Sequence, residues 1–86
     1  MGLNGSDAPG GGALVSVVFA NTAAERAGIL VGDIIVEFNG RTVRDLAGLF
    51  LLARNTGEGA PVSLRVRRGT SEFFLGLQLG RHPLFN

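Results

Sequence analysis

The stretch from Thr22 to Gly40 constrains the fold of this chain more than any other part of the sequence. Thr22 precedes Glu25 by three residues, which is the spacing of a capping box, and Gly28 suits the left-handed residue that ends a helix. The stretch therefore predicts a helix of little more than one turn that begins at Ala23. A helix this short is unstable alone, so its apolar residues must pack against the rest of the domain.

A turn and a buried strand follow this helix directly. In Val31-Gly32-Asp33, glycine tolerates positive φ and the aspartate can accept backbone N–H bonds, so we interpret Asp33 as a turn residue rather than a catalytic acid. The β-branched and aromatic run Ile34–Phe38 predicts a strand, and Asn39-Gly40 is a strong hairpin signal. Residues 41–43 are expected to return as a short strand.

The pattern A-A-x-x-A-G-(I/L)-x-x-G-D-x-I-x-x-(F/V)-N-G-x-x-V, here Ala23–Val43, resembles the central signature of bacterial PDZ domains, especially those of HtrA-type envelope serine proteases. With its flanks the resemblance runs from about residue 13 to residue 80. Ala23 replaces a common proline and Asn21-Thr22 replaces Gly-Ser, and both changes keep the helix cap. The resemblance implies an α+β, mainly β fold: a small antiparallel β-barrel of about five strands flanked by two helices, without parallel crossovers.

Two further elements follow from apolar runs and caps. Ala13–Phe19 is a continuous apolar run, which predicts a strand buried on both faces or nearly so. Asp45 is a good N-cap for a second helix from Leu46 to about Asn55, and Gly57 can end that helix.

After Pro61, alternating apolar and polar residues predict two strands joined at Arg68–Ser71. Arg65, Arg67 and Arg68 are expected to project to solvent. A charged face that keeps the sheet soluble is favoured over a nucleic-acid surface, because no exposed aromatic platform accompanies these arginines. Oligonucleotide titration at two salt concentrations would detect RNA or DNA binding.

The chain divides into three segments. The glycine-rich residues 1–12 are expected to be flexible unless they dock, residues 13–80 form the domain, and residues 81–86 form a tail that begins near the strand-breaking His82-Pro83. A tail that fills the domain's own groove would make the chain an assembly domain, and size-exclusion chromatography with and without residues 81–86 addresses that alternative.

Composition argues against several functions. The 86 residues carry eight Lys and Arg against seven Asp and Glu, a net charge of +1, which is too small to argue for binding a phosphate backbone. There is no cysteine, the one histidine is His82, and the carboxylates are dispersed, so we expect no catalytic triad, metal site or cofactor. No apolar run approaches the roughly 20 residues that span a bilayer.

The second helix has two apolar stripes. Leu46, Phe50 and Ala53 form one stripe, and Leu49 and Leu52 form an adjacent one. A helix that only covers a core needs one stripe, so the other is expected to face a ligand, another chain or a second region of core. The PDZ resemblance implies that the first stripe faces a peptide groove and the second faces the core.

The same resemblance implies the other wall of that groove. Permuted PDZ domains of this kind place a Φ-G-Φ loop near the start, where backbone N–H groups bind a peptide carboxylate, and Met1-Gly2-Leu3 fits that pattern. Leu46 replaces the histidine that many animal PDZ domains use to bind a Ser or Thr hydroxyl, so an apolar ligand residue is expected there.

The function implied by the resemblance is capture of apolar C-terminal or unfolded polypeptide segments by β-strand addition. The implied parent is an HtrA-like serine protease of the bacterial envelope, periplasmic or membrane-anchored and able to oligomerise, whose protease domain precedes this module and acts in protein quality control. Related PDZ domains also occur in site-2 metalloproteases, tail-specific proteases and secretion components, and these parents remain alternatives.

Overall fold

The sheet and its helices are seen in a computed structural model that describes residues 1–57 and 59–79. The tail expected at residues 81–86 lies outside the described residues. In chain order the described elements are β1 (Leu3–Asp7), β2 (Ala13–Val18), α1 (Ala23–Ala27), β3 (Ile34–Phe38), β4 (Arg41–Thr42), α2 (Leu46–Thr56), β5 (Pro61–Arg68) and β6 (Ser71–Gln78).

The strands form one sheet in the order β1-β2-β3-β5-β6, with β4 paired to β3. Every pairing is antiparallel, so the expected antiparallel fold with two helices is confirmed. Helix α1 lies against β6, and α2 lies against β1 and β2. This arrangement leaves β1 at one edge of the sheet, beside α2.

The caps of α1 agree with the predicted helix. The Glu25 N–H donates to Thr22 Oγ1 at 3.4 Å, and Gly28 takes a left-handed conformation with φ 90° and ψ 18°. The Glu25 carboxylate accepts the N–H of Asn21 at 2.9 Å, one residue before the partner of an ordinary capping box. Local spacing was therefore sufficient to place both ends of this helix.

The core lies between the sheet and the two helices. Its largest fully buried apolar side chains come from three different strands, one helix and one loop: Val15, Ile35, Phe38, Val43, Leu49, Leu64 and Val66. Each buried side chain of this size stabilises the fold by about 1.5 to 3 kcal/mol relative to exposure. The predicted alternation along β5 is confirmed, since Val62, Leu64 and Val66 are buried.

Residues 1–12, which are expected to be flexible unless they dock, dock onto the sheet through β1. Leu3–Asp7 pairs with β2 as an edge strand, and Leu3 is 5% exposed. A turn follows in which the Ala8 N–H donates to the Gly12 C=O at 2.9 Å. Most of these contacts are made by the backbone, which is why the pattern of side chains did not reveal the strand.

Strand β2 is less buried than its apolar sequence predicts. Ser16 and Val17 are exposed, and Phe19 lies beyond the strand with 52% of its surface exposed. Only Ala13 and Leu14 pair with β3, and the register with β1 shifts between Asn4 and Gly5. The far half of β2 therefore has a strand on one side only, and its outer face is uncovered.

Arg68 does not project freely into solvent as expected. Its Nε donates to Asp33 Oδ1 at 2.7 Å, and its Nη2 donates to Asp33 Oδ2 at 2.8 Å and to the Gly28 C=O at 2.9 Å. The guanidinium also lies 4.7 Å from the centre of the Phe73 ring. Asp33 accepts the Leu30 N–H as well, which confirms its role in the turn.

The environment of Asp33 sets its charge. Burial, which leaves this residue only 1% exposed, raises the pKa of the carboxyl, but hydrogen bonds from Arg68 and the Leu30 N–H outweigh that effect and hold the pKa below its ordinary value. The carboxylate is therefore ionised and paired, and it joins the turn before β3 to the end of β5.

Arg65 and Arg67 lie on the outer face of the sheet in an ion-pair network. Arg65 Nη2 is 2.8 Å from Glu72 Oε1, Arg65 Nη1 is 3.4 Å from Glu37 Oε2, and Arg67 Nε is 3.2 Å from Glu72 Oε2. The hydrogen bond from Arg67, together with Arg65, lowers the pKa of Glu72. The expectation that no exposed aromatic accompanies these arginines is wrong, because Phe74 is 66% exposed and its ring centre lies 5.9 Å from the Arg65 guanidinium. Oligonucleotide titration remains the measurement for nucleic-acid binding.

Candidate peptide-binding groove

A groove of about 550 Å³ opens between the start of the chain and α2. Apolar side chains supply most of its walls. It is lined by Met1, Gly2, Leu3, Phe19, Thr22, Phe50 and Ala53. The groove thus joins the first residues of the chain to a helix about fifty positions later, with the end of β2 between them.

The cap of α2 sets which side of this helix faces the groove. Asp45 Oδ1 accepts the Gly48 N–H at 2.7 Å and begins the helix at Leu46. Leu49 is completely buried in the core, whereas Phe50 is 38% exposed and lies in the groove wall. The two neighbouring residues therefore have different surroundings, as the two predicted stripes require.

Backbone hydrogen bonds hold the loop at residues 1 and 2 in place. The Gly2 C=O accepts the Phe19 N–H at 2.9 Å, and the Met1 C=O accepts the Ala24 N–H at 2.9 Å. Gly2 has a φ of 98°, and a Cβ there would collide with the side chain of Thr22. Only glycine tolerates this positive φ together with so close a neighbour. Thr22 is therefore both the N-cap of α1 and a support of this loop.

The edge of β1 faces the groove with backbone groups. Because the Phe19 N–H bonds to the Gly2 C=O, Leu3 and Val18 form a non-hydrogen-bonded pair of the antiparallel ladder. The N–H and C=O of Leu3 therefore point away from β2. Within the described residues β2 is the one strand paired with β1, so these two groups lie on a sheet edge.

A side chain ties β1 to the start of α2. Asp7 Oδ1 accepts the Leu46 N–H at 3.0 Å, which ties the end of β1 to the first residue of α2. Leu46 is partly buried against the core. None of the described residues that line the groove has an ionisable side chain, but Met1 carries the N-terminal ammonium, whose pKa is lowered by burial.

The structure brings together five of the six residues that the sequence assigned to ligand binding. Met1, Gly2, Leu3, Phe50 and Ala53 line one groove. Leu46 is not among the lining residues: its N–H is bonded to Asp7, and its side chain is partly buried against the core. Contact of these residues with a ligand remains a prediction.

Phe19 and Thr22 line the groove but were absent from the sequence-based set. The sequence predicts Phe19 in a buried strand, yet β2 ends at Val18 and the ring is exposed. Thr22 had been explained by its role as a helix cap. Only the folded structure identifies both as groove residues. Phe19 is an apolar residue beyond the end of a strand, and the side chain of Thr22 caps a helix and also touches a distant loop.

Leu52, which was assigned to the core, lies on the opposite side of α2. It is partly buried against the core and also lines a smaller pocket of about 380 Å³ with Phe38, Asn39, Arg41, Asn55 and Thr56. The described part of the chain brings together no group of three side chains that could hold a metal ion. Neither described helix has the length and hydrophobicity that crossing a membrane requires.

Comparison with known sequences matches residues 14–68 to the PDZ domain family. A probable periplasmic serine endoprotease, DegP-like, of Hahella chejuensis is 33% identical over 72 residues, which cover 84% of this chain and 15% of that protein. The periplasmic serine endoprotease DegP of Salmonella typhimurium is 34% identical over 68 residues, 79% of this chain and 14% of its own length. The chain therefore spans only a small part of these relatives.

Two solved structures are similar throughout most of the chain. The HtrA3 PDZ domain bound to the phage-derived ligand FGRWV has a TM-score of 0.76 and 31% identity, and the match covers 91% of this chain and 81% of that one. The HtrA-type protease AlgW with a decapeptide has a TM-score of 0.76 and 26% identity, and the match covers 81% of this chain and 22% of that one.

Proposed function

Because the chain belongs to the PDZ domain family, we propose that it captures the apolar C-terminus of an extended polypeptide in the groove between β1 and α2. One observation carries this proposal: an apolar wall and an open strand edge meet at the loop of residues 1 and 2. An apolar wall alone would suit many ligands. The adjacent sheet edge favours a ligand that has a peptide backbone.

The ligand would be held by three sets of contacts. Its backbone would pair with the N–H and C=O of Leu3, and its last side chain would pack between Phe19 and Phe50. Its carboxylate would lie at the loop, where the Met1 and Gly2 carbonyls are bonded to Ala24 and Phe19 on the far side. With those acceptors already occupied, the carboxylate would meet N–H donors in place of repelling C=O groups.

The ligand of one similar structure supports an apolar C-terminus, and the ligand of the other supports binding of a peptide. The ligand of the HtrA3 PDZ domain, FGRWV, ends in valine, and AlgW was solved with a decapeptide. In this chain Ala53 leaves space beside the two aromatic rings, and the lining has no ionisable side chain that would favour a charged terminal residue.

For the whole protein we propose a role as the substrate-recognition and regulatory module of an HtrA-like serine protease of the bacterial envelope. The curated relatives are described as periplasmic serine proteases, and this chain corresponds to about 15% of their length. The catalytic residues would then lie in the remaining length, together with any surfaces for oligomerisation. Purified residues 1–86 should accordingly show no peptidase turnover, and reproducible turnover would contradict this assignment.

Fluorescence polarisation with labelled FGRWV tests the peptide-binding proposal. The free acid should bind, and amidation of its C-terminus should weaken binding about tenfold or more, because hydrogen bonds from N–H donors to a charged carboxylate are lost. A second peptide that ends in aspartate serves as a matched control for the apolar pocket and should bind weakly. Equal affinity for the acid and the amide would overturn the carboxylate site.

A further inference from the structure

A second residue of β1, Gly5, also has its backbone groups on the open edge of the sheet. Gly5 lies opposite Val15, but the Val15 N–H donates to the Asp33 C=O and the Val15 C=O accepts the Gly32 N–H, each at 2.8 Å. Val15 therefore has no backbone hydrogen bond left for Gly5. In an antiparallel ladder the N–H and C=O of such a residue point away from the neighbouring strand, towards the sheet edge.

The N–H of Gly5 is nevertheless already engaged. The side-chain Oδ1 of Asn4 accepts it at 2.8 Å, in a contact exposed to solvent. Of the two edge positions Leu3 and Gly5, the second is thus occupied by the chain's own amide oxygen, which has the same geometry and chemistry as a peptide carbonyl. Beyond Gly5 the edge ends at Asp7, whose carboxylate is bonded to Leu46.

We propose that Asn4 is an intramolecular competitor of the bound peptide. The proposal rests on the proposed function, since it concerns the same edge. Successive edge-facing residues of one strand pair with every second residue of the other. If the last ligand residue pairs with Leu3, the residue two positions before it pairs with Gly5, and its carbonyl must displace Asn4 Oδ1 to reach the Gly5 N–H.

The exchange has a small cost that falls on one position of the ligand. One exposed hydrogen bond is broken and one is made, and the released Asn4 amide returns to water. Asn4 thereby weakens ligands that pair with both edge positions and leaves unaffected those that pair only with Leu3. It acts on the backbone carbonyl of the third residue from the ligand's C-terminus, whatever the side chain of that residue.

Comparison of Asn4→Ala with the wild-type chain tests the proposal in the same polarisation assay. The first ligand is FGRWV. The second is the same peptide with the amide between its arginine and tryptophan replaced by an (E)-alkene, which removes the carbonyl that would reach Gly5. Asn4→Ala should bind FGRWV about threefold more tightly than wild type and bind the alkene peptide equally well.

Two variants serve as controls. Asn4→Asp keeps an acceptor oxygen near the Gly5 N–H and should not tighten FGRWV binding. Ser6→Ala changes another exposed residue of β1 and should alter neither affinity. A merely structural role for Asn4 would change the affinity of both peptides alike, so the difference between the peptides is the decisive quantity.

The outcomes separate this inference from the proposed function. If wild type binds FGRWV but Asn4→Ala binds it no more tightly, or tightens both peptides equally, the competitor role is overturned and the peptide-binding function stands. If wild type binds neither peptide, the proposed function fails and the competitor role fails with it.

Discussion

Polar groups are paired with one another at one end of the sheet and are open to a ligand at the other. At the β5 and β6 end, Asp33 is nearly inaccessible and its carboxylate is held by two hydrogen bonds from Arg68. At the β1 end, the backbone groups of Leu3 face an open groove. In the described chain no buried side-chain N or O atom lacks a hydrogen-bond partner. Stability depends on the first end, and binding is expected at the second.

Asp33→Ala should produce the largest effect. It should destabilise the fold by removing the pair with Arg68 and should leave peptide binding in the groove unaffected. We expect the free energy of unfolding to fall by about 3 kcal/mol, at the low end of the range for a broken buried pair because the Arg68 side chain remains 38% exposed. Urea denaturation followed by circular dichroism measures this loss. Peptide affinity of the folded variant should stay within about twofold of wild type. A loss of affinity parallel to the loss of stability would show that the two ends are not independent.

Phe50→Ala should have the converse effect. We expect it to weaken FGRWV binding by about 1 to 3 kcal/mol because it removes one wall of the groove. Its stability loss should be smaller than that of Leu49→Ala, for which the completely buried side chain predicts about 3 kcal/mol. Parallel polarisation titrations and urea melts give both numbers. Equal stability losses in the two variants, or unchanged affinity in Phe50→Ala, would show that the groove assignment of α2 is wrong.

Acid should lower the stability of the fold by protonating Asp33. Its pKa is lower in the folded chain than in the unfolded chain, so the stabilisation is present above the unfolded pKa of about 3.9 and is lost as pH falls through the folded pKa. Urea midpoints should therefore drop below about pH 4. Asp33→Asn should have a flatter profile over that range. An unchanged profile in this variant would assign the acid sensitivity to other carboxylates.

Glu72→Gln should produce the smallest effect. The residue pairs with Arg65 and Arg67 on the outer face, where the arginine side chains are 41% and 46% exposed. Exposed ion pairs are screened by salt and add little to folding. Thermal melts should show no measurable change and little dependence on ionic strength. A clear destabilisation would mean that this network, like Asp33, supports the fold.

Several elements could be predicted from short spacings because their stabilising contacts are local. The Thr22 cap and Gly28 determine α1, Asn39-Gly40 determines the hairpin, and Asp45 determines the start of α2. In each, the interacting groups lie within a few residues, so the sequence contains the whole interaction. The two stripes of α2 likewise predicted that Leu49 and Phe50 would have different surroundings.

Tertiary structure alone decided the contacts between residues far apart in the chain. The edge strand at Leu3–Asp7 depends on backbone pairing that no side-chain pattern records, and the partner of Asp33 lies at Arg68, 35 positions away. The groove forms because β1 pairs with β2 and because β2 ends before Phe19. By itself the sequence determined which segments become helix or strand. The meeting of an open strand edge with an apolar helix face depended on how those segments pack.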